Sequence, residues 1–188
     1  AGDINADGYS DVIVGAPYAD APGRDDAGVS FVIFGSDKPS DVDLAALTTE
    51  GVRIDGAAEF DLSGTSVAGA GDVNADGYPD VAFTDAFGPV RLFLNGKDGT
   101  FRDATKESGL LVPQPKRSLS FADVDRDGDL DLFICGTGDY YRQMPDPPFD
   151  ANDGSRNELY LNDGKGVFTN VTEAWGVGGL TRWSLTAL

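Results

Sequence analysis

The sequence predicts an all-β fold of repeated, four-stranded antiparallel units arranged as β-propeller blades. Three observations predict it. One nine-residue pattern, Asp-x-Asn/Asp-x-Asp-Gly-x-x-Asp, occurs three times in 188 residues, starting at Asp3, Asp72 and Asp123. Each copy leads into a short β-branched or aromatic run: Val12-Ile13-Val14, Val81-Ala82-Phe83 and Leu130-Asp131-Leu132-Phe133-Ile134. Such runs read as strands. The third observation is punctuation: 25 Gly and 10 Pro, without long helical periodicity, divide the chain by turns.

A second alignment fixes the repeat. Leu92-Phe93-Leu94-Asn95 matches Leu159-Tyr160-Leu161-Asn162, and Gly99-Thr100-Phe101 matches Gly166-Val167-Phe168. The first unit is predicted to hold strands near residues 11–14, 29–35 and 52–54. The second holds strands near 65–70, 81–85, 90–94 and 100–105. The third holds strands near 118–122, 130–135, 158–161 and 167–172. In each unit the Asp-rich loop precedes the strand that opens on its last Asp. The first unit lacks a leading strand, and Trp183-Ser184-Leu185-Thr186-Ala187-Leu188 is expected to supply it. The expected blades are therefore residues 1–58 (completed by 182–188), 59–112 and 113–181. A closed propeller typically needs about 4–8 blades. The expectation is that these three belong to a longer propeller or close a ring as a homo-oligomer. The chain opens inside a repeat, so a missing native N-terminus is also expected.

The spacing of the pattern names a ligand. A hard divalent cation such as Ca²⁺ takes about 6–8 oxygens at about 2.3–2.6 Å. Alternate positions of a tight loop can turn oxygen side chains inward together. Positions 1, 3 and 5 supply Asp3/Asn5/Asp7, Asp72/Asn74/Asp76 and Asp123/Asp125/Asp127. Position 6 is Gly8, Gly77 or Gly128, as a turn through positive φ favours. Position 7 (Tyr9, Tyr78, Asp129) would offer its backbone carbonyl, and position 9 (Asp11, Asp80, Asp131) would close the shell. An EF-hand would need Glu at position 12, where this chain has Val14, Phe83 and Ile134. The loops therefore lie between strands. Without a cation, each like-charge pair ~4 Å apart costs on the order of 4 kcal/mol at an effective dielectric near 20. Asp/Asn/Gly-rich turns without metal are the plainer reading, but they do not need convergent carboxylates. About three Ca²⁺ ions are expected.

These residues resemble the FG-GAP/VCBS repeats of integrin α-subunit-type β-propellers. Gly2-Asp3-Ile4-Asn5-Ala6-Asp7-Gly8-Tyr9-Ser10-Asp11 runs on into Val12-Ile13-Val14-Gly15-Ala16-Pro17, which ends on the Gly-Ala-Pro of the name. Phe60-Asp61-Leu62-Ser63-Gly64 stands where Phe-Gly is expected. Units two and three are similar to the VCBS and cartilage-acidic-protein branch, through Asn157-Glu158-Leu159-Tyr160-Leu161-Asn162 and Phe168-Thr169-Asn170-Val171-Thr172. The resemblance implies a structural metal at one face of a propeller. It implies an extracellular or cell-surface module for adhesion, protein interaction or scaffolding. A glycan-binding module and a self-assembling surface protein stay open as alternatives, as does a propeller attached to a polysaccharide-degrading enzyme.

Composition narrows the classes. Fourteen Lys+Arg against 32 Asp+Glu give a net charge of −18, which opposes nucleic acid and unaided binding to anionic membrane. No apolar run is long enough to span a bilayer. Histidine is absent, removing the commonest general base. The repeat's Asp residues are already committed to metal, so no enzyme is expected. Cys135 is the only cysteine and is read as a buried thiol. Trp175 and Trp183 are read as packing residues. The long loop 136–156 supplies candidate partner-binding residues, Tyr140, Tyr141, Arg142 and Phe149, on a protein or glycan surface.

Overall fold

The computed structural model describes residues 2–38, 41–86, 88–110, 116–136 and 155–179. Three antiparallel sheets follow one another along the chain. The first holds β1 (Val12–Ala16), β2 (Val29–Ile33) and β3 (Gly51–Asp55) in that order. The second is a meander of β4 (Ser66–Gly71), β5 (Asp80–Thr84), β6 (Val90–Asn95) and β7 (Phe101–Asp103). The third repeats it with β8 (Lys116–Ala122), β9 (Asp131–Gly136), β10 (Glu158–Asn162) and β11 (Phe168–Asn170). These sheets are propeller blades. Residues 182–188, expected to complete the first blade, lie outside the described residues. The isolated bridge Gly2↔Asp11 stands where the first blade's leading strand would end, as Gly71↔Asp80 and Ala122↔Asp131 do in the other two.

Register explains the apolar runs. Successive side chains of a strand point to opposite faces. Val81 and Phe83 of β5 join a cluster with Ile4, Val32 and Ile54 of the first blade. Ala82, between them, joins the other cluster, with Leu92, Leu119, Leu132 and Ile134, at the seam with the third blade. Every residue of β5 is buried because both faces of its sheet are covered. Phe83 and Phe93 stack within the first seam, with ring centroids 5.0 Å apart. β4, the leading strand of the second blade, contacts both β1 of the first blade and β8, the leading strand of the third.

Two expectations need correction. The last strand of the third unit was expected to continue to Thr172, but β11 ends at Asn170 and a short helix, α1 (Thr172–Trp175), follows. Thr172 turns inward instead: its Oγ1 accepts the Leu159 N–H at 2.9 Å, as Thr105 Oγ1 accepts that of Leu92 at 3.1 Å. Trp175 does not pack inward, being 44% exposed at the end of α1. Cys135 is buried as expected.

Opposite the Asp-rich loops, Arg91 of β6 ties the second sheet together. Its Nε donates to Asp85 Oδ2 at 2.9 Å and its Nη1 to Asp103 Oδ2 at 3.3 Å. Asp85 is fully buried, and burial pushes its carboxyl above the ordinary range while Arg91 pulls it down. Removing the cation leaves a buried, unpaired charge. Arg91→Met should cost about 3 kcal/mol at neutral pH. A raised folded pKa means that stability is fully present below the unfolded value and is lost as pH rises through the folded one. The deficit of the variant should therefore shrink on acidification, and urea unfolding from pH 7 to pH 4 checks it.

Candidate metal centres

Each Asp-rich loop is wound by its own side chains. The position-1 carboxylate accepts N–H groups from further round the turn. Asp3 takes Asp7 and Gly8, both at 2.9 Å. Asp72 takes Asp76 at 2.9 Å and Gly77 at 2.7 Å. Asp123 takes Arg126 at 2.7 Å and Gly128 at 3.2 Å. At position 3, Asn5, Asn74 and Asp125 accept the position-5 N–H at 3.2 Å in every loop. At position 5, Asp7, Asp76 and Asp127 accept the N–H of Tyr9, Tyr78 and Asp129 at 2.9, 3.1 and 2.9 Å.

The turn passes twice through the left-handed region. Position 6 does so on glycine, with φ of 93°, 91° and 99°, as the sequence predicts. Position 4 does so on Ala6, Ala75 and Arg126, with φ of 58°, 55° and 66°. No residue type marks that second crossing. An L side chain there costs on the order of 1 kcal/mol or more, and the carboxylate-to-backbone bonds on either side hold it in place.

Position 9 reaches beyond the loop. Asp11, Asp80 and Asp131 are buried, and both oxygens of each accept backbone N–H groups. One oxygen takes the position-2 N–H of its own loop: Ile4 at 2.6 Å, Val73 at 3.0 Å and Val124 at 2.9 Å. The other takes an N–H just past β2 or at the end of β6 or β10: Gly35 at 2.7 Å, Asn95 at 2.8 Å and Asn162 at 3.0 Å. Asp80 shows the electrostatic cost. Burial, and then the charges of Asp76 and Asp72, outweigh its two N–H donors and push its carboxyl up to about 6.

The third loop shows a metal-sized arrangement. Carboxylate oxygens of Asp123, Asp125 and Asp131 lie within 4.8 Å of one another. Ligands on opposite sides of Ca²⁺ are separated by about 5 Å, so the trio fits a hard cation. Asp127 and Asp129 lie outside this trio. Asp125 and Asp129 are raised above the usual carboxylate range, by desolvation first and then by neighbouring carboxylates that include Asp127 and Asp131. In the first two loops the position-3 amide softens this repulsion: Asn5 Nδ2 donates to Asp7 Oδ2 at 2.8 Å and Asn74 Nδ2 to Asp76 Oδ2 at 3.2 Å. Lys97 adds a charge to the second loop, with Nζ 3.6 Å from Asp76 Oδ2 and 5.1 Å from the centre of the Tyr78 ring.

Two residues at this end of the blades were not singled out for a role by sequence. Asn95 and Asn162 each donate Nδ2 to the preceding blade's loop, to Ile4 O at 2.7 Å and Val73 O at 2.9 Å. The repeated Leu-x-Leu-Asn was the available signal. The candidate partner residues Tyr140, Tyr141, Arg142 and Phe149 lie outside the described residues.

Comparison with known proteins agrees with this geometry. The FG-GAP repeat model matches residues 1–33, and an FG-GAP-like repeat model matches residues 72–134. The chain belongs to the FG-GAP repeats, of the type found in integrin α chains. Integrin alpha pat-2 of Caenorhabditis elegans is 45% identical over 136 residues, 72% of this chain and 10% of that protein. Integrin alpha-6 of Gallus gallus is 31% identical over 134 residues, 69% of this chain and 11% of that protein. Phosphatidylinositol-glycan-specific phospholipase D of Rattus norvegicus is 32% identical over 149 residues, 70% of this chain and 17% of that protein. The chain thus spans only about a tenth to a sixth of the length of these relatives. No helix among the described residues is long and apolar enough to cross a membrane.

The contrast between the loops gives a test. Asn74→Asp gives the second loop the all-carboxylate set of the third. Added ligand charge tightens calcium sites, so titration calorimetry should show this loop binding several-fold more tightly. In chelator the variant should melt at a lower temperature than the parent, because the Asn74–Asp76 hydrogen bond becomes a repulsion.

Proposed function

We propose that this FG-GAP chain is part of an extracellular, calcium-stabilised β-propeller that serves adhesion or protein interaction at a cell surface or in the matrix. The observation that carries the reading is the threefold loop whose position-9 Asp ties it to strand ends, with a cation-sized cluster of carboxylate oxygens in the third copy. About three Ca²⁺ ions are proposed, one to each loop. The ligands are Asp3, Asn5, Asp7 and Asp11; Asp72, Asn74, Asp76 and Asp80; and Asp123, Asp125, Asp127 and Asp131. The backbone carbonyls of Tyr9, Tyr78 and Asp129 complete them. Bound calcium would supply the positive charge that these oxygens coordinate, and no redox chemistry.

The side chains do the rest. With the carboxylates neutralised, the loops keep one shape and present one rigid face. A protein partner is proposed to bind that face, and the long loop bearing Tyr140, Tyr141, Arg142 and Phe149, which links the end of β9 to the start of β10, is proposed as a separate partner surface. The blades are taken as residues 1–58, 59–112 and 113–181, with 182–188 returning to the first. The chain is read as a binding module and not as an enzyme. Its likeness to a phospholipase, restricted to 17% of that protein, supports a shared scaffold.

Sites of this extracellular type have Kd of about 10⁻⁴–10⁻³ M. At a tenfold excess of Ca²⁺, each site then contributes about 1.4 kcal/mol to folding. Asp76→Ala should therefore lower Tm by several degrees in millimolar Ca²⁺ and much less in chelator. Calorimetry that finds an equal loss in both would contradict the linkage.

A further inference from the structure

We propose that Asn95 and Asn162 couple neighbouring metal loops, each acting as a positioning residue for the cation site of the blade before its own. The inference rests on the calcium reading above and adds a direction to it.

Both asparagines are 5% exposed, and their hydrogen bonds repeat. Asn95 Nδ2 donates to Ile4 O at 2.7 Å and to Pro79 O at 3.1 Å. Asn162 Nδ2 donates to Val73 O at 2.9 Å and to Leu130 O at 3.3 Å. Ile4 and Val73 are position 2 of the preceding loop. Pro79 and Leu130 are position 8 of the asparagine's own loop. The two amide hydrogens are therefore shared between successive metal loops. The rest of each asparagine is fixed as well. Oδ1 accepts an N–H from Lys97 or Gly166, at 2.9 and 3.2 Å. The backbone N–H goes to the position-9 Asp of its own loop.

Position 2 is the peptide between two ligands. Its N–H is held by its own blade's Asp11 or Asp80, and its C=O by the next blade's asparagine. A displaced Ile4 would move Asp3 and Asn5 with it. Groups that orient metal ligands at one remove typically change affinity by about 10–100-fold when lost. Among the described residues two places depart from the pattern. Gly35 holds the asparagine's place in the first blade, keeping the N–H bond to Asp11 but offering no side chain to pass on. Val124, the counterpart of Ile4 and Val73, is 41% exposed, against 2% and 1% for those two. Influence therefore runs from the third blade to the second loop and from the second blade to the first loop.

The test is hydrogen-exchange mass spectrometry on the full chain across a Ca²⁺ titration, following residues 3–11, 72–80 and 123–131. Asn162→Ala should raise the calcium midpoint of 72–80 about tenfold and leave that of 3–11 near the parent value. Asn95→Ala should shift 3–11 and spare 123–131. Asn162→Ser, which retains a donor, is the milder variant should the alanine not fold, and should shift 72–80 by less. A change confined to the substituted blade's own loop, or an equal change in all three, overturns the coupling. Calcium-dependent protection that ignores every variant also overturns the coupling, while leaving the calcium reading intact. Absence of calcium-dependent protection in the parent chain overturns both.

Discussion

A buried carboxylate that accepts two backbone N–H groups is the interaction on which this architecture rests. Asp11, Asp80 and Asp131 each bind one N–H in the Asp-rich loop and one at the end of the strand that pairs with the strand following that loop. Hydrogen bonds to a charged group are worth about 1.5–3 kcal/mol. Taking the charge out of water costs several kcal/mol. For Asp80 desolvation wins, since its carboxyl sits at about 6 despite both donors. The staple is in place, and a cation bound among the neighbouring oxygens would favour the ionised form of Asp80 further.

The seams depend on the same end of the sheet. Ile4 and Val73 lie in the loops, yet their side chains belong to the two apolar clusters between blades. A loop that collapsed under its own charge would withdraw a buried side chain from the seam. In the proposed reading, metal coordination, loop shape and blade packing are one linked equilibrium. Arg91, at the opposite end of the strands, secures the sheet independently of that equilibrium.

Much of this was legible in the residues. The tripled pattern gave the loops, and the following β-branched runs gave β1, β5 and β9 within a residue or two. Position 6 was legible because only Gly takes φ near 90° without strain. Position 4 was not, because Ala6, Ala75 and Arg126 share no signature and are forced there by neighbouring carboxylates. The asparagine lock was visible as a repeat but had no meaning until the pairing of Asn95 with Ile4, 91 residues away, was known. Thr172 was read as strand because its role, a hydroxyl turned back to Leu159, is a tertiary one. Trp175 was read as core from residue type alone, and type does not say which way a short helix faces.

The adhesion role proposed for this face rests on its being rigid in calcium, and rigidity rests on occupancy. Counting bound ions addresses this most directly. Native mass spectrometry of the chain, exchanged into millimolar calcium and then desalted in steps, reads that count. The account predicts up to three calcium ions, with one fewer on Asp76→Ala. A chain that carries no calcium under those conditions, while remaining folded, would contradict it.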